Sequence, residues 1–188
     1  MPELGSPQSS IETPALLIDL DLMEANIRRW QSAIDAAGVA FRPHIKTHKT
    51  PAIAAMQIDA GAIGIAVAKV AEAEVFAAAG FQDIVVAYPV FGEIKWQRLA
   101  ELARTCTITV NVENELAARG LSAAAVAAGS QIRVHLEIDI GAHRCGVVPE
   151  DAEALGRLIM ELPGLELDGI TGYRSTGFPG AAGRSPEE

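Results

Sequence analysis

The chain has 188 residues, of which 49% are hydrophobic and 21% are charged, a composition that is typical of a folded domain and excludes a disordered or fibrous protein. Lys and Arg number 15 against 24 Asp and Glu, which gives a net charge of −9 that repels nucleic acid and anionic membranes at long range. The longest stretch without a charged residue, residues 120–132, is well short of the ~20 apolar residues of a membrane span. We therefore expect neither nucleic acid nor a membrane as a partner.

The amino terminus and the cysteines indicate a cytoplasmic protein. The first residues, MPELGSPQSSIETP, contain neither the basic nor the apolar region of a secretory signal. Cys106 and Cys145 lie far apart in apolar surroundings, which suits reduced, buried thiols better than a disulfide.

Short β-branched runs alternate along the chain with longer stretches of helical period, a pattern typical of βα units and a parallel sheet. The run ALLIDL, residues 15–20, predicts a first strand, and a helix follows over residues 21–37 and ends at Gly38. Six strands of parallel type are predicted after it, at residues 39–46, 63–68, 84–88, 106–112, 132–139 and 167–173. Further helices are predicted near residues 51–60, 70–79, 94–104, 113–128 and 149–161.

Repeated βα units are typical of either an open doubly wound sheet or a (β/α)8 barrel. The glycine motifs of nucleotide-binding sheets are absent, which favours the barrel. Six strands do not close an eight-stranded barrel, and 188 residues fall below the ~200-residue low end of that fold. We expect an α/β fold, namely an incomplete TIM-type barrel of about six βα units. The barrel should stay open at one side, and its sheet should not include residues 15–20. The barrel domain is predicted at residues 14–177, with flexible ends at 1–13 and 178–188.

The densest polar segment is RPHIKTHK, residues 42–49, at the carboxyl end of a predicted strand, where barrel enzymes place their active sites. Strand alternation puts Arg42, His44 and Lys46 on one face. A lysine amine that is desolvated beside other cations is kept neutral and can form a Schiff base, which is the chemistry of pyridoxal phosphate enzymes. The residue types alone fit a surface basic patch or a phosphate-binding loop equally well.

Five segments carry a resemblance to a known family: TPALLIDLDLMEANI, RPHIKTHKTP, QIDAGAIGIAVAKVAEAEV, DIVVAYPV and HLEIDIGAHRCGV. Together they resemble the N-terminal part of the D-threonine aldolase and D-serine dehydratase family, fold type III enzymes with an alanine racemase-type barrel and pyridoxal phosphate. The resemblance implies that Lys46, the first lysine of the RPHxKTHK motif, is the Schiff-base lysine. Racemases carry a lysine segment of the type KANAYGHG, which is absent here, so a lyase is favoured over a racemase.

The resemblance also implies the other site residues. Arg144 is expected near the phenolic oxygen or pyridine ring of the cofactor, a role that suits a planar guanidinium, although a structural pair with Asp139 is an alternative. Tyr173 and His44 are expected to contact the cofactor. His48 is expected to contact the substrate, unless it is merely a solvated loop residue.

No pair of His, Cys or Asp has the spacing of a metal site, so no metal ligand is predicted in this chain. The resemblance implies a divalent ion, zinc or manganese, held by a C-terminal β domain that this sequence does not contain, and a homodimer when the protein is full length. The turn at Ser175 and Thr176 is interpreted as a solvated loop.

We expect a pyridoxal phosphate-dependent lyase acting on small D-3-hydroxy amino acids, of the D-threonine aldolase or D-serine dehydratase type. The alternatives are a racemase-like protein, a non-catalytic cofactor carrier and an inactive barrel fragment.

Overall fold

The computed structural model describes residue 3 and residues 5–174. Its contacts divide the chain into two compact units, with the boundary between Ala40 and Phe41. In the part of the chain described, no helix is both long and apolar enough to cross a membrane. The predicted turn at Ser175 and Thr176 and the predicted tail at 178–188 lie outside the described residues.

The first unit is built around helix α1, Leu20–Ala36. Asp19 caps the amino end of the helix, because its Oδ1 accepts a hydrogen bond from the backbone N–H of Leu22 at 3.0 Å. Such a side-chain cap satisfies an amide that has no partner within the helix. After it, Gly38 adopts a φ of 68°, the left-handed conformation that ends many helices.

The prediction of a strand at residues 15–20 is wrong. Residues 15–19 belong to no strand or helix, and Leu20 already belongs to α1. A strand exists only through hydrogen bonds to a neighbour, and within the described residues this segment has none. The side chain of Leu16 is accordingly fully exposed. The absence of residues 15–20 from the sheet agrees with the expectation that the barrel excludes them.

The second unit contains five parallel strands: β1 Ile65–Val67, β2 Asp83–Val86, β3 Thr107–Val112, β4 Ile132–Ile138 and β5 Leu165–Gly172. They are paired in chain order, so that β1 and β5 lie at the two edges. The helices of this unit are α2 Pro51–Asp59, α3 Val70–Ala78, α4 Glu93–Leu102, α5 Glu115–Ala128 and α6 Ala152–Glu161. This order confirms the open, incomplete barrel-type sheet.

The strand predicted at residues 39–46 is replaced by a single parallel bridge between His44 and Ala66. The Phe41 and Pro43 carbonyls accept hydrogen bonds from Ile63 and Ala66 N–H at 2.9 and 2.8 Å. Pro43 has no N–H to return, and a 3-10 helix at Ile45–Thr47 then leads the chain away. The sheet therefore has five strands instead of six, and the other five predictions are confirmed with ends that differ by no more than two residues.

Alternate side chains of each strand point to opposite faces of the sheet. One face carries buried residues such as Ile84, Ile108 and Val134, each exposed by 1% or less, and full burial of one such side chain contributes roughly 1.5–3 kcal/mol. The helical side of this core includes Phe76, Leu99 and Leu121. The opposite face carries polar residues, including the cross-strand ion pair Arg133–Glu166 at 3.6 Å and the cross-strand contact between His135 Nε2 and Asp168 Oδ2 at 3.2 Å.

Two helical glycines lie in different surroundings, and the difference predicts that substitution by alanine has opposite effects on stability at the two positions. A Cβ on Gly120 of α5 would lie 2.3 Å from the Trp96 ring, and that ring is held because its Nε1–H donates to the Val90 carbonyl at 2.8 Å. A Cβ on Gly156 of α6 would meet nothing closer than a Leu136 methyl at 3.6 Å.

We expect Gly120→Ala to lower the free energy of unfolding by about 1–3 kcal/mol through overpacking. Gly156→Ala, the matched control, should raise it by about 0.5–1 kcal/mol through its better helix propensity. Urea unfolding followed by circular dichroism measures both. Stabilisation by both substitutions would show that α4 and α5 do not pack through this contact.

Candidate active site

A cavity of about 150 Å³ opens at the carboxyl ends of the strands, the edge where parallel α/β barrels place their catalytic groups. It brings together four of the five site residues predicted from the sequence: His44, Lys46, Arg144 and Tyr173. The rest of its wall consists of Ala68, Ala87, Tyr88, Asn111, Glu137, Thr171 and Gly172. Residues from seven separate stretches of the sequence thus converge on one space.

A larger cavity of about 400 Å³ lies at the opposite, amino ends of β1 and β2. Its wall includes Ile58, Ile63 and Phe81 and none of the predicted site residues. Because convergent polar groups rather than volume define a site for chemistry, the smaller cavity is the candidate active site.

Lys46 is presented by the 3-10 helix Ile45–Thr47. Ile45 is fully buried and anchors the turn, whereas Lys46 itself is exposed and lines the cavity. The backbone N–H of Lys46 donates to Nδ1 of His44 at 3.4 Å. After the turn, Lys49 adopts a φ of 52°, a left-handed conformation that is uncommon for a residue with a side chain.

Glu72 at the start of α3 ties this turn to the sheet. One carboxylate oxygen pairs with Lys49 Nζ at 2.6 Å, and the other accepts from the Ala68 N–H at 2.8 Å. Burial by itself would raise the pKa of Glu72, but the bonds from Lys49 and Ala68 outweigh it and hold that pKa below its usual value. Glu72 is therefore ionised at neutral pH, and the Lys46 turn is held from both ends.

The two neighbouring histidines differ in position. Burial, assisted by the charge of Lys46, lowers the pKa of His44, so this ring is neutral at neutral pH and its Nδ1 can accept the bond from Lys46. His48 does not line the cavity, because its Nδ1 accepts from the Thr50 N–H at 3.1 Å. Burial lowers the pKa of His48 as well. The substrate contact of His48 stays a prediction.

Arg42 is not a neighbour of Lys46, which corrects the expectation from strand alternation. Its guanidinium forms a bidentate pair with Asp83, at 2.8 and 3.1 Å, at the amino end of β2. Gly64 leaves the space for it, since a Cβ there would lie 2.1 Å from Nη1 of Arg42. Residues 41–44 run alongside β1 before the 3-10 helix begins, so Arg42 lies toward the amino end of the sheet and Lys46 beyond its carboxyl edge.

Arg144 lies on a loop, residues 139–146, that leaves β4 and returns to it. The loop is closed by a bridge between Ile138 and Val147. Oδ1 of Asp139 accepts from the N–H groups of Gly141 and His143 at 2.9 and 3.0 Å, and Oδ2 lies 3.0 Å from Nδ1 of His143. Asp139 thus pairs with His143, and the alternative in which Asp139 pairs with Arg144 is wrong.

The far end of this loop requires glycine. Gly146 has a φ of 107°, and a Cβ on it would lie 2.4 Å from the Asp139 backbone nitrogen. Its N–H donates to Oε2 of Glu113 at 2.5 Å. The loop is therefore held at both ends by carboxylates that accept backbone N–H groups.

The Arg144 guanidinium lies over the ring of Tyr173, 3.8 Å from its centroid, and 5.9 Å from the centroid of Tyr88. A cation over an aromatic face is attracted by the ring quadrupole, so the two tyrosines orient the arginine at the cavity. The charge of the neighbouring Cys145 and its hydrogen bond raise the pKa of Tyr88 above the ordinary value of a phenol. Cys145 is free and half-buried.

Sequence reasoning missed Tyr88, Asn111 and Glu137. Asn111 and Glu137 are 5% and 2% exposed, and Asn111 Nδ2–H donates to Glu137 Oε2 at 3.1 Å. Burial raises the pKa of Glu137. A signal was present: each is a polar residue at or just beyond the carboxyl end of a strand.

Among residues 3 and 5–174, no group of three or more His, Cys, Asp or Glu is placed so that it could hold a metal ion. The polar groups of the cavity wall are one amine, one guanidinium, one imidazole, two phenols, one hydroxyl and a buried acid–amide pair.

The parallel sheet, with a lysine and an arginine at a cavity beyond its carboxyl edge, defines an incomplete barrel of the (β/α)8 type. Residues 18–180 match the family described as alanine racemase, N-terminal domain, and the chain belongs to this family. The family resemblance inferred from the sequence is confirmed.

Among characterised proteins, the chain is 43% identical over 174 residues to D-threonine aldolase from Arthrobacter sp., covering 92% of this chain and 46% of that protein. It is 38% identical over 172 residues to D-threo-3-hydroxyaspartate dehydratase from Delftia sp. strain HT23, covering 90% and 45%. The crystal structure of D-threonine aldolase from Filomicrobium marinum superposes with a TM-score of 0.88 at 40% identity, covering 90% and 46%. The chain spans about half the length of these relatives.

We expect the 139–146 loop to loosen when Asp139 is protonated. The N–H groups of His143 and Gly141 hold the pKa of Asp139 below its usual value. The stabilisation from this carboxylate is therefore fully present above the unfolded pKa, about 3.9, and is lost as the pH falls through the lower folded pKa.

An acid titration followed by NMR measures this effect through the Gly141 amide resonance, which should move in the range below about pH 4. Asp139→Asn should abolish this transition, whereas Asp168→Asn should leave it in place. The same transition in Asp139→Asn would show that another group holds the loop.

Proposed function

We propose that the protein is a pyridoxal phosphate-dependent lyase that acts on small D-3-hydroxy amino acids, with the cofactor bound at Lys46. The observation that carries this proposal is the convergence of Lys46 and Arg144 on one cavity at the carboxyl edge of the sheet. The similarity to an aldolase and a dehydratase of D-3-hydroxy amino acids supports it.

The cavity wall fits a flat, anionic cofactor. Lys46 supplies an exposed amine on a turn that Ile45 and Glu72 hold in place. Arg144 supplies a fixed cation, and a guanidinium binds oxyanions with a rigid fork of donors. Small residues in the wall, Ala68 and Gly172 among them, leave room for a ring.

Pyridoxal phosphate, when bound, supplies an aldehyde for an amine and a ring that accepts the electron pair released at Cα. Lys46 would hold the cofactor through Nζ and, once the substrate amine takes its place, would move the Cα proton in a dehydratase. Arg144 would hold the phenolic oxygen. Tyr173 would keep the guanidinium in position, because its ring centroid lies 3.8 Å from Cζ of Arg144.

An aldolase removes the proton of the β-hydroxyl and breaks the Cα–Cβ bond, whereas a dehydratase expels that hydroxyl. The described residues contain the amine and the guanidinium that both reactions need, so we propose the common lyase class and keep both reactions. Three expectations stay predictions: a divalent ion, which is zinc or manganese; a homodimer; and a cytoplasmic location.

We expect Lys46 to be the residue that bonds to the cofactor. Incubation with pyridoxal phosphate, reduction with borohydride and peptide mapping should place the label on Lys46, because its amine lies at the cavity. Lys46→Ala should remove the label, and Lys95→Ala, a change of an exposed lysine on α4, should not. A label on Lys49 or Lys69, with none on Lys46, would refute the assignment.

The reaction is tested with the same variants. Protein supplied with pyridoxal phosphate and zinc or manganese is incubated with D-threonine or D-3-hydroxyaspartate, and glycine and 2-oxo acids are measured. The L-enantiomers are the control. Cofactor binding without any product would favour the carrier alternative, and conversion of alanine enantiomers would favour a racemase.

We expect Arg144→Lys to weaken cofactor binding about tenfold, because one planar donor pair is lost while the charge is kept, and a hydrogen bond to a charged group contributes roughly 1.5–3 kcal/mol. Absorbance titration with pyridoxal phosphate measures the change. Arg157→Lys is the matched control, since Arg157 pairs with exposed Glu153 on α6 and does not line the cavity. An unchanged affinity and spectrum would leave Arg144 a structural residue.

A further inference from the structure

A short segment connects the Lys46 turn to α2, and the His48 side chain spans it. Nδ1 of His48 accepts a hydrogen bond from the Thr50 N–H at 3.1 Å, and Thr50 Oγ1–H donates to the His48 carbonyl at 2.8 Å. The backbone N–H groups of His48 and Lys49 donate to the Ile45 carbonyl at 3.1 and 2.7 Å. His48 is therefore bonded to the turn on one side and to the start of α2 on the other.

The backbone of this segment depends on that side-chain partner. Lys49 has a φ of 52°, a conformation that is uncommon for a residue with a side chain and that persists where the surrounding contacts fix it. Pro51 has no N–H, so the Thr50 N–H is the last backbone donor before α2 continues. The Thr50 side chain makes no capping bond to the helix, because its hydroxyl donates to His48. Without the His48 ring, the Thr50 N–H would lose its partner.

Neither nitrogen of the His48 ring is open to the cavity. A neutral ring whose Nδ1 accepts a hydrogen bond carries its proton on Nε2, and burial lowers the pKa of His48, which favours the neutral form at neutral pH. Nε2 is closed off from solvent, as is Oε1 of Gln57 on α2. Gln57 lies beside the ring, since its side chain raises the pKa of His48 in opposition to burial. The ring therefore lies between the turn and α2, with its polar atoms directed at the protein.

We propose that His48 is a positioning residue for Lys46. Its ring ties the Lys46 turn to the start of α2, so that the Lys46 side chain leaves the backbone at one fixed place beside the cavity. The inference rests on the proposed function in one respect, namely the bond between Lys46 and pyridoxal phosphate that this placement favours. The alternative is the contact between His48 and the substrate that is expected from the sequence.

The two roles differ in the step that they affect. Nζ of Lys46 reacts with the cofactor aldehyde to form a C=N bond and release one water, and this step precedes the arrival of any substrate. A positioning residue affects this step, because an amine that is held close to the aldehyde reacts faster than a mobile one. A residue that only contacts the substrate leaves the step unchanged.

The experiment measures, without substrate, the rate at which pyridoxal phosphate bonds to Lys46. Samples are reduced with borohydride at intervals, and the labelled Lys46 peptide is quantified. We expect His48→Ala to slow this labelling about five- to tenfold, the size expected for the loss of one hydrogen bond. His48→Asn, whose Oδ1 can take the place of Nδ1, should recover most of the rate. His48→Gln is the matched polar control, because its amide reaches past that position and should not recover the rate.

Hydrogen exchange followed by NMR tests the positioning role without cofactor. The Lys49 amide donates to the Ile45 carbonyl and reports on the Lys46 turn. It should exchange about tenfold faster in His48→Ala than in the unaltered protein, because one hydrogen bond of the segment is lost. In His48→Asn it should exchange close to the unaltered rate.

A second pair of variants is available if His48→Ala does not fold. Thr50→Val removes the hydroxyl that donates to His48 and keeps the N–H, so it should give a smaller increase in the exchange of the Lys49 amide. Thr105→Val is the matched control, because the Thr105 hydroxyl donates to a backbone carbonyl at an exposed site outside the cavity wall. No increase in Thr50→Val, or an equal increase in Thr105→Val, would overturn the inference.

The outcomes separate this inference from the proposed function. Unchanged exchange of the Lys49 amide in folded His48→Ala would overturn the positioning role, and so would equal recovery of labelling by His48→Asn and His48→Gln. An unchanged labelling rate with weaker substrate binding would assign His48 to the substrate contact. If the unaltered protein does not bond to pyridoxal phosphate at Lys46, the proposed function fails, and the exchange of the Lys49 amide still decides whether His48 holds the turn.

Discussion

The parallel register of the five strands is the constraint on which the site depends. Asn111 is paired with His135, and Glu137 with Thr171, so the carboxyl ends of β3, β4 and β5 lie at one level. Because side chains alternate between faces, a slip of one residue would turn Asn111 and Glu137 toward the helices. The apolar face that packs on the helices therefore also determines which polar groups reach the cavity.

Three carboxylates then hold the loops at this edge in the same manner. Glu72, Glu113 and Asp139 each accept backbone N–H groups, from Ala68, from Gly146, and from Gly141 and His143. Each therefore satisfies amides in a loop that has no strand or helix to pair with. The acidic composition of the chain thus has a local structural use, since the anions stabilise the segments that present two cations to the cavity.

Sequence reasoning succeeded where the signal is local. Helix limits such as Pro51 and Gly38 follow from the fixed φ of proline and the left-handed freedom of glycine. It failed where structure depends on a partner. Residues 15–20 have strand composition but no neighbouring strand among the described residues, and Pro43 interrupts the pairing of the segment that leads to Lys46. Lys46 and Arg144 were found through motifs, whereas Glu137 was missed because its partner Asn111 lies on another strand and its burial depends on the whole sheet.

The contact between Trp96 and Gly120 has a practical consequence, because the chain contains only two tryptophans. Trp96 is packed against α5, in the unit that contains the cavity, whereas Trp30 belongs to α1 and is 59% exposed. Indole fluorescence depends on polarity, so the two residues report on the two units as separate optical signals. Replacing Trp30 by Phe would leave an emission that follows the packing of the cavity-bearing unit alone.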